Sequence, residues 1–567
     1  MAIDKTGLNH FQIDIKMSFR QNEIKEIKHE GAVSIHSESE VSELSGFTEE
    51  DAEDAKEIFH HEDRLGTTLN ARLIAMISLV GVFGTGIFLS SGGTLATTGP
   101  VGMILAYVLV GTVVAANQVC MVETSCLFPA TSSYIAHSEV FIDKALGFAW
   151  GMGSTYNAII PSELTAISVI MTYWTDLNSA VFITVFGLFV VFTNIWNVRY
   201  YGEIEFFFGI IKLMLCAGLI LVGLIIDLGG VEGQHRLGFQ YWRNPGPFAE
   251  KFTTGSLGRF LGFWKAVSSV VYAFGGVQNI TMLAGETEYP RRAIYRAGKR
   301  VLTRVSIIYF VMVFILSMIV PYTDTVIAHP NGTASGSPWV RAVQLAGIKV
   351  LPDIINAVVL TSALSAGNLG IIKVSRNLYA LAAKKQLPSI FLKVNRNGLP
   401  WVSVAFGCAF LPLAYMTLDS SAANVFSWFQ NITASDLLIT WIAIASNHIA
   451  LHKAMKVQGF TRHDLPYKFW IGKWCGYYSL FFSLLFLLTG GFSTFIHGYW
   501  AFSTLFSSYF IIPLTIVLFI FAKLVFKTRY IKPSEVKLRA LFYDLQNRPE
   551  PPYKKLKGWE WLTLLWS

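Results

Sequence analysis

The chain has 567 residues, of which 53% are hydrophobic and 14% are charged. An ordinary water-soluble protein carries about 25% charged residues, so this composition excludes that class and indicates a membrane protein. The net charge of +8 is typical of basic loops on the cytoplasmic side of a membrane, and no motif for binding nucleic acid accompanies it. The five cysteines form no CxxC pair, and we expect neither a disulfide framework, a metal site nor a cofactor.

The chain begins with a polar segment. Residues 1–68 contain an acidic block from Glu38 to Asp63 and few aliphatic residues at helical spacing. Such a segment buries too little apolar surface to offset the entropy of folding, which predicts a disordered cytoplasmic tail. The membrane domain is predicted at 69–530, and residues 531–567 form a polar cytoplasmic tail.

The membrane domain is predicted to be all α-helical and to cross the lipid bilayer twelve times. An apolar stretch of about 20 residues can span the hydrocarbon core as a helix. The predicted segments are 71–92, 101–123, 144–174, 181–197, 205–228, 260–284, 301–321, 351–375, 399–417, 423–448, 475–497 and 503–526.

Charge sets the orientation of these segments. Basic clusters follow segments 6, 8 and 10. Because an even number of crossings separates these loops, all three lie on the same side of the membrane. The positive-inside rule makes that side cytoplasmic. Both termini are then cytoplasmic as well. The loop after segment 7 lies outside and contains Asn331-Gly332-Thr333, which makes Asn331 a predicted glycosylation site.

Two segments contain glycine clusters that would interrupt a helix. Segment 1 has Gly81-Val82-Phe83-Gly84-Thr85-Gly86-Ile87-Phe88, and segment 6 has Ala273-Phe274-Gly275-Gly276-Val277-Gln278-Asn279. Each interior glycine costs a helix about 1 kcal/mol, and an opened backbone is tolerated in a membrane only beside a cavity or within protein. The spacing predicts a five-plus-five inverted repeat with helices 1 and 6 broken around a small polar ligand. Close helix packing is the alternative explanation.

Polar residues inside the apolar segments are candidate site residues because burying them in lipid is costly. Glu163 in segment 3 would hold a proton or a cation, unless it only bonds a neighbouring helix. Lys212 in segment 5 would couple transport to protons, unless it extends to the cytoplasmic headgroups. Asn368 either contributes to the site or joins helices, and Trp428 either closes over a substrate or packs. Glu123 is predicted to be a gate or ion-pair residue.

Over most of residues 65–530 the chain resembles the fungal amino-acid permease family of the amino acid–polyamine–organocation superfamily. The resemblance rests on short stretches that occur in the family's order. These are Gly84-Thr85-Gly86-Ile87-Phe88-Leu89, Gly99-Pro100-Val101-Gly102, Tyr201-Gly202-Glu203-Ile204-Glu205-Phe206, Leu237-Gly238-Phe239-Gln240-Tyr241-Trp242-Arg243-Asn244-Pro245-Gly246, Ala284-Gly285-Glu286-Thr287-Glu288-Tyr289-Pro290-Arg291-Arg292, Ser365-Ala366 with Asn368, and Ser375-Arg376-Asn377-Leu378-Tyr379-Ala380-Leu381.

The resemblance implies a LeuT-like fold and proton-coupled uptake of amino acids at the plasma membrane, and not an enzyme. In such proteins the substrate carboxylate meets exposed amides of segment 1, here Gly84, Thr85 and Gly86. That placement agrees with the attraction of an anion to a helix N-terminus. The substrate ammonium lies where segments 1 and 6 unwind, here beside Phe274 and Gly275.

The resemblance also assigns roles to single residues. Lys212 matches a lysine implicated in proton coupling, and Glu163 matches a frequent acidic position of segment 3. The N-terminal tail contains Lys25, Lys28 and Lys56, which are suited to modification by a ubiquitin ligase and its adaptors.

The sequence departs from the family pattern in segment 6, where Gln278 replaces the usual acidic residue. Losing this carboxylate argues against a basic amino acid as substrate. It leaves room for a permease of carnitine, another betaine or polyamines. A nutrient sensor on the same fold is a further alternative, since the usual Gly-Glu-Met after segment 2 reads Val122-Glu123-Thr124.

Overall fold

The computed structural model describes residues 47–59, 81–130, 132–156, 159–195, 198–281, 289–328, 337–395 and 398–550. Every regular element within these ranges is helical, which confirms the predicted all-α class. The described α-helices of at least eight residues are α1 (Glu49–Phe59), α2 (Ser91–Leu127), α3 (Ser133–Phe141), α4 (Lys144–Thr155), α5 (Ile159–Met171), α6 (Ser179–Ile195), α7 (Val198–Asp227), α8 (Gly255–Ala273), α9 (Pro290–Ile319), α10 (Pro338–Leu345), α11 (Leu351–Ala383), α12 (Trp401–Cys408), α13 (Ala422–Val457), α14 (Gly472–Thr489), α15 (Phe502–Tyr509), α16 (Ile511–Phe526) and α17 (Leu538–Asn547).

Several of these helices can cross a membrane. Within the described ranges seven helical stretches are long and apolar enough, and an eighth follows if α15 and α16, which meet at 44°, form one span. The seven are Gly86–Leu127, Gly202–Asp227, Gly255–Asn279, Pro290–Ile319, Leu351–Ala383, Trp401–Leu418 and Ala422–Val457. The helix α6 is apolar but shorter. Twelve crossings, and the inverted repeat, therefore remain predictions.

The end of predicted segment 1, from Gly86 onward, and predicted segment 2 form one helical stretch, Gly86–Leu127, with a sharp break. At Gly99 the backbone leaves the helical conformation, with φ of 73° and ψ of 175°, and Pro100 follows. Proline removes a backbone donor and clashes with the preceding turn, which fixes the break. The freed carbonyl of Thr98 accepts a hydrogen bond from the N–H of Ala249, at 3.0 Å.

The packing of the long helices defines the centre of the molecule. The helix α2 packs against α8 and α9, and α5 packs against α11 and α13. The π-helix Gly86–Ser90 packs against α2 and α8, and the 3-10 helix Val277–Thr281 packs against α2 and α9, so both turns lie against the first group.

The chain forms two compact units, residues 1–53 and 54–567. The prediction of a tail without regular structure is wrong for part of 1–68, since α1 runs from Glu49 to Phe59. A capping box explains where α1 begins, because the side chains of Thr48 and Asp51 bond each other's backbone N–H groups. The remainder of that tail, residues 1–46 and 60–68, lies outside the described residues.

The structure describes the C-terminal tail as far as residue 550. It begins with an extended stretch in which the N–H of Ile531 donates to the carbonyl of Ile142, at 2.8 Å. The helix α17 follows, and its Asp544 accepts a hydrogen bond from the Arg291 guanidinium of α9 at 2.7 Å. Lys537 donates to Asp54 and Glu57 of α1, at 2.7 and 3.0 Å. Residues 531–550 therefore pack onto the helical domain and onto residues 54–59 of α1.

Candidate functional site

The two glycine-rich stretches lie against each other. The helix α8 ends at Ala273, and the next residues turn through Gly276, whose φ is 97°. A β-carbon on Gly276 would lie 2.4 Å from the carbonyl oxygen of Gly81, and one on Gly86 would lie 2.5 Å from the Cα of Ala273. Both distances are shorter than real contacts allow. The close-packing explanation of the glycines therefore holds for these two positions.

Gly84 is in a different environment. Among the described residues other than its two chain neighbours, no heavy atom lies within 4 Å of the place its β-carbon would take. Its N–H donates to the carbonyl of Val82 at 3.0 Å, and a helical turn begins at Thr85, immediately before the π-helix Gly86–Ser90. The backbone at Gly84 thus borders open space at the start of a helix. The predicted helix before this turn falls on residues 71–80, outside the described residues.

A cluster of hydroxyl groups and one carboxylate lies directly behind this turn. The hydroxyl of Tyr272, on α8, donates to Oε1 of Glu163, on α5, at 3.0 Å. The hydroxyl of Thr85 is 3.1 Å from the same oxygen and 2.8 Å from the Tyr272 hydroxyl. Ser162 approaches the Tyr272 hydroxyl at 3.3 Å. The second oxygen of Glu163, Oε2, is buried and has no hydrogen-bond partner among the described residues.

A second buried polar cluster surrounds Lys212. Its ammonium donates to the hydroxyl of Ser365, on α11, at 2.9 Å. That hydroxyl donates to Oε2 of Glu205 at 2.5 Å. Lys212 has no exposed surface and Glu205 is 1% exposed, so protein surrounds the ammonium. This burial does not fit the alternative in which Lys212 extends to the headgroups.

Aromatic residues pack against the contact between the two glycine-rich stretches. The hydroxyl of Tyr309, on α9, lies 2.7 Å from the carbonyl oxygen of Val82 and 2.8 Å from that of Ala273. The ring of Phe274 is buried, with its centroid 5.0 Å from that of Tyr309. The predicted site residue Phe274 therefore packs behind the glycines. Gln278 is buried in the 3-10 helix Val277–Thr281.

Two further predicted site residues have contacts outside the clusters described above. The side-chain oxygen of Asn368 accepts hydrogen bonds from Thr193 and Asn194 of α6, at 2.9 and 3.0 Å. Trp428 packs beside the buried cluster that contains Val425. These contacts fit the helix-joining and packing alternatives for the two residues. Asn331, the predicted glycosylation site, lies outside the described residues.

A cavity of about 230 Å³ opens beside the first turns of α2. It is bounded by α5, α8 and α13, and Lys265 is the one charged residue among its described lining residues. The ring of Phe426, which lines the cavity, meets the ring of Tyr272 edge to face with centroids 6.2 Å apart. This aromatic pair stands between the cavity and the carboxylate of Glu163.

Sequence reasoning missed four residues of these clusters: Tyr272, Tyr309, Glu205 and Ser365. Glu205 had a signal, since it precedes Lys212 by seven residues and two helical turns place such residues on one face. The other three are neutral, and no spacing within the sequence links them to the groups that they contact.

The contrast between Gly84 and Gly86 gives a prediction with an internal control. Gly86→Ala should lower the amount of folded protein, because its methyl group would overlap the backbone of Ala273. Gly84→Ala should fold normally, because its methyl group meets open space, but it should reduce uptake by occupying that space. Fluorescence size-exclusion chromatography and uptake measured on the same cells check both results. Equal loss of folded protein in the two variants would contradict this assignment.

The chain is similar in sequence to known amino acid permeases. The amino acid permease family model matches residues 74–532. The dicarboxylic amino acid permease of Saccharomyces cerevisiae is 35% identical over 497 residues, which cover 86% of this chain and 81% of the relative. The lysine-specific permease of the same yeast is 33% identical over 489 residues, covering 85% and 80%. Its proline-specific permease is 34% identical over 478 residues, covering 82% and 76%.

Among solved structures, a substrate-bound, outward-open Na⁺-coupled sialic acid symporter aligns with 78% of this chain and 94% of its own. The TM-score is 0.47 and the sequence identity is 11%.

Proposed function

This chain belongs to the amino acid permease family, and on that basis we propose that it is a proton-coupled symporter that imports amino acids or related zwitterions. The relatives named for dicarboxylic amino acids, lysine and proline have nearly equal identity to it, so the substrate has to be sought in the site.

The buried carboxylate of Glu163 is the observation that carries the proposal. One of its oxygens is held by Tyr272 and Thr85, and the other has no partner among the described residues. A buried ionised group without a partner is unfavourable, and a substrate ammonium would supply the missing hydrogen bonds. Thr85 directly follows Gly84, where the backbone borders open space. A zwitterion would thus have its ammonium at Glu163 and its carboxylate at the backbone amides of Thr85 and Gly86, where the helical turn begins.

Lys212 is the proposed proton-coupling residue. Its ammonium is enclosed by protein and bonded to Ser365, which in turn bonds Glu205. Lysine can exchange a proton in such a setting, whereas a permanently charged group cannot. Glu205 and Lys212 lie on α7, and Ser365 lies on α11, so a change of charge would act on the contact between these two helices.

The cellular setting is part of the proposal. The protein would lie in the plasma membrane with both termini in the cytoplasm, as the basic loops indicate. Residues 1–68 would then be a regulatory tail. Lys56 on α1 is exposed and available to a ubiquitin ligase and its adaptors.

An uptake screen tests the proposed function. Cells that lack their own amino-acid permeases would express the chain and receive each radiolabelled amino acid, carnitine or spermidine in turn. Saturable uptake of one amino acid or a small related group is expected. Uptake of carnitine alone would narrow the substrate to a related zwitterion, and uptake of spermidine alone would contradict the proposed substrate class. A protein at the cell surface that binds an amino acid without importing it would be a sensor.

The cavity beside α2 predicts which substrates are favoured. Lys265 gives the described lining a positive charge, and this lining contains no carboxylate. We expect anionic or neutral substrates to be preferred over cationic ones. Lys265→Glu should therefore shift the ratio of glutamate to lysine uptake toward lysine by about tenfold, within the range of electrostatic steering. The matched control is Lys251→Glu, which reverses an exposed charge on the loop before α8. Equal shifts in both variants would show that Lys265 does not determine the preference between the two substrates.

A further inference from the structure

A cluster of three potential metal ligands lies away from the transport site. Glu123 is near the end of α2, and His448 and His452 are one turn apart on α13. Oε2 of Glu123 lies 2.8 Å from Nε2 of His448 and 3.3 Å from Nε2 of His452. The two nitrogen atoms are 3.0 Å apart. The side chains of Glu123 and His448 are buried, and that of His452 is 15% exposed.

Hydrogen bonds alone cannot satisfy this arrangement. An ionised carboxylate has no hydrogen to donate, and each Nε2 atom contributes at most one. Two hydrogens therefore serve three contacts, and one contact lacks a hydrogen bond in every protonation state of the two rings. A cation bound at the centre would instead use the lone pairs of all three atoms.

The other oxygen of Glu123 is already held in place. Its Oε1 accepts hydrogen bonds from the guanidinium of Arg462, at 2.9 Å, and from the backbone N–H of Phe469, at 2.8 Å. These contacts bear out the prediction that Glu123 is an ion-pair residue. They also fix the carboxylate so that Oε2 faces the two rings, which is how outer partners orient a metal ligand.

We propose that Glu123, His448 and His452 form a binding site for a divalent transition-metal ion of the Zn²⁺ class. Zn²⁺ lies about 2.0–2.2 Å from nitrogen and oxygen ligands, so two tetrahedral ligands are about 3.3 Å apart. The three separations in the cluster, 2.8 to 3.3 Å, are close to this value. Two histidines and one glutamate with an open fourth position are a known zinc ligand set.

The site would join two helices that are distant in sequence. Glu123 and His448 are 325 residues apart. A bound ion would tie the end of α2 to α13, beside the loop that contains Arg462. Entry is possible on the side of His452, the partly exposed ligand.

Metal binding can be tested without any measurement of transport. The full chain would be purified in detergent with His60 and His61 changed to alanine, so that the paired histidines of the tail do not bind. Calorimetric titration with Zn²⁺ should give one ion per chain, and Co²⁺ should give the visible absorption bands of a tetrahedral site. His452→Ala should weaken binding by about 10–100-fold or more, since even outer-shell changes have effects of that size.

The control is His463→Ala, which removes an exposed histidine of the loop after α13 and should leave Zn²⁺ binding unchanged. Thermal unfolding without metal verifies that His452→Ala folds. The absence of Co²⁺ bands in the unsubstituted cluster would overturn the proposal whatever the variants do. Equal Zn²⁺ affinity before and after His452→Ala would overturn it as well.

Discussion

Lys212→Arg is expected to abolish concentrative uptake and to leave exchange of bound substrate intact. Arginine remains protonated at every pH that a cell meets, so it would keep the charge beside Ser365 and Glu205 and could not release a proton. A gradient of one pH unit stores about 1.4 kcal/mol per proton, which supports about tenfold accumulation. The variant should therefore approach equal concentrations on the two sides, where the parent chain accumulates substrate about tenfold.

The control for this experiment must separate coupling from folding. Lys212→Ala removes the positive charge that Ser365 bridges to the buried Glu205, and leaving a buried charge uncompensated costs about 3–5 kcal/mol. The double variant Lys212→Met/Glu205→Gln removes both charges and should restore the amount of folded protein. It should still fail to concentrate substrate. Normal accumulation with normal pH dependence in Lys212→Arg would show that Lys212 has no coupling role.

Glu163→Gln is expected to raise the KM for uptake by about 10–100-fold. A hydrogen bond to a charged group contributes about 1.5–3 kcal/mol, and each 1.4 kcal/mol is a factor of ten in affinity. The glutamine oxygen can still accept from Tyr272, so the protein should fold as before. The dependence of uptake on external pH should persist, because in this account Glu163 binds the ammonium and Lys212 carries the proton.

Tyr272→Phe provides the matched comparison. It removes the hydroxyl that holds Oε1 of Glu163 but keeps the ring and its contact with Phe426. We expect a smaller rise in KM than in Glu163→Gln, since the carboxylate remains and Thr85 still bonds it. Loss of pH dependence in Glu163→Gln, with little change in KM, would contradict this assignment and would show that Glu163 carries the proton.

The helical class and the neighbourhood of the site could be predicted from the sequence because they depend on local features. Apolar runs with few charges can only be helices in lipid, and the glycines at 81–86 and 275–276 mark places where backbone segments meet. The structure brings Thr85 and Glu163 together, and both belonged to the predicted site.

Contacts between positions that are distant in the sequence could not be predicted. Ser365 reaches Lys212 from 153 residues away, and Glu123 reaches His448 from 325 residues away. A neutral serine and a histidine in an apolar helix have no periodic signal of their own. The contacts of Asn368 are of the same kind, because its side-chain oxygen accepts hydrogen bonds from Thr193 and Asn194 of α6, about 175 residues away. Helix α1 had a local signal in the capping box of Thr48 and Asp51, but the packing of Phe59 on Phe128 could not be predicted.

The most direct test of the account is accumulation of the screened substrate in proteoliposomes with an imposed ion gradient. With a pH gradient of one unit, acidic outside, and no Na⁺, the protein should concentrate the substrate about tenfold for each coupled proton. A protonophore should collapse that accumulation to equal concentrations. Accumulation that requires a Na⁺ gradient and ignores the pH gradient would contradict proton coupling through Lys212.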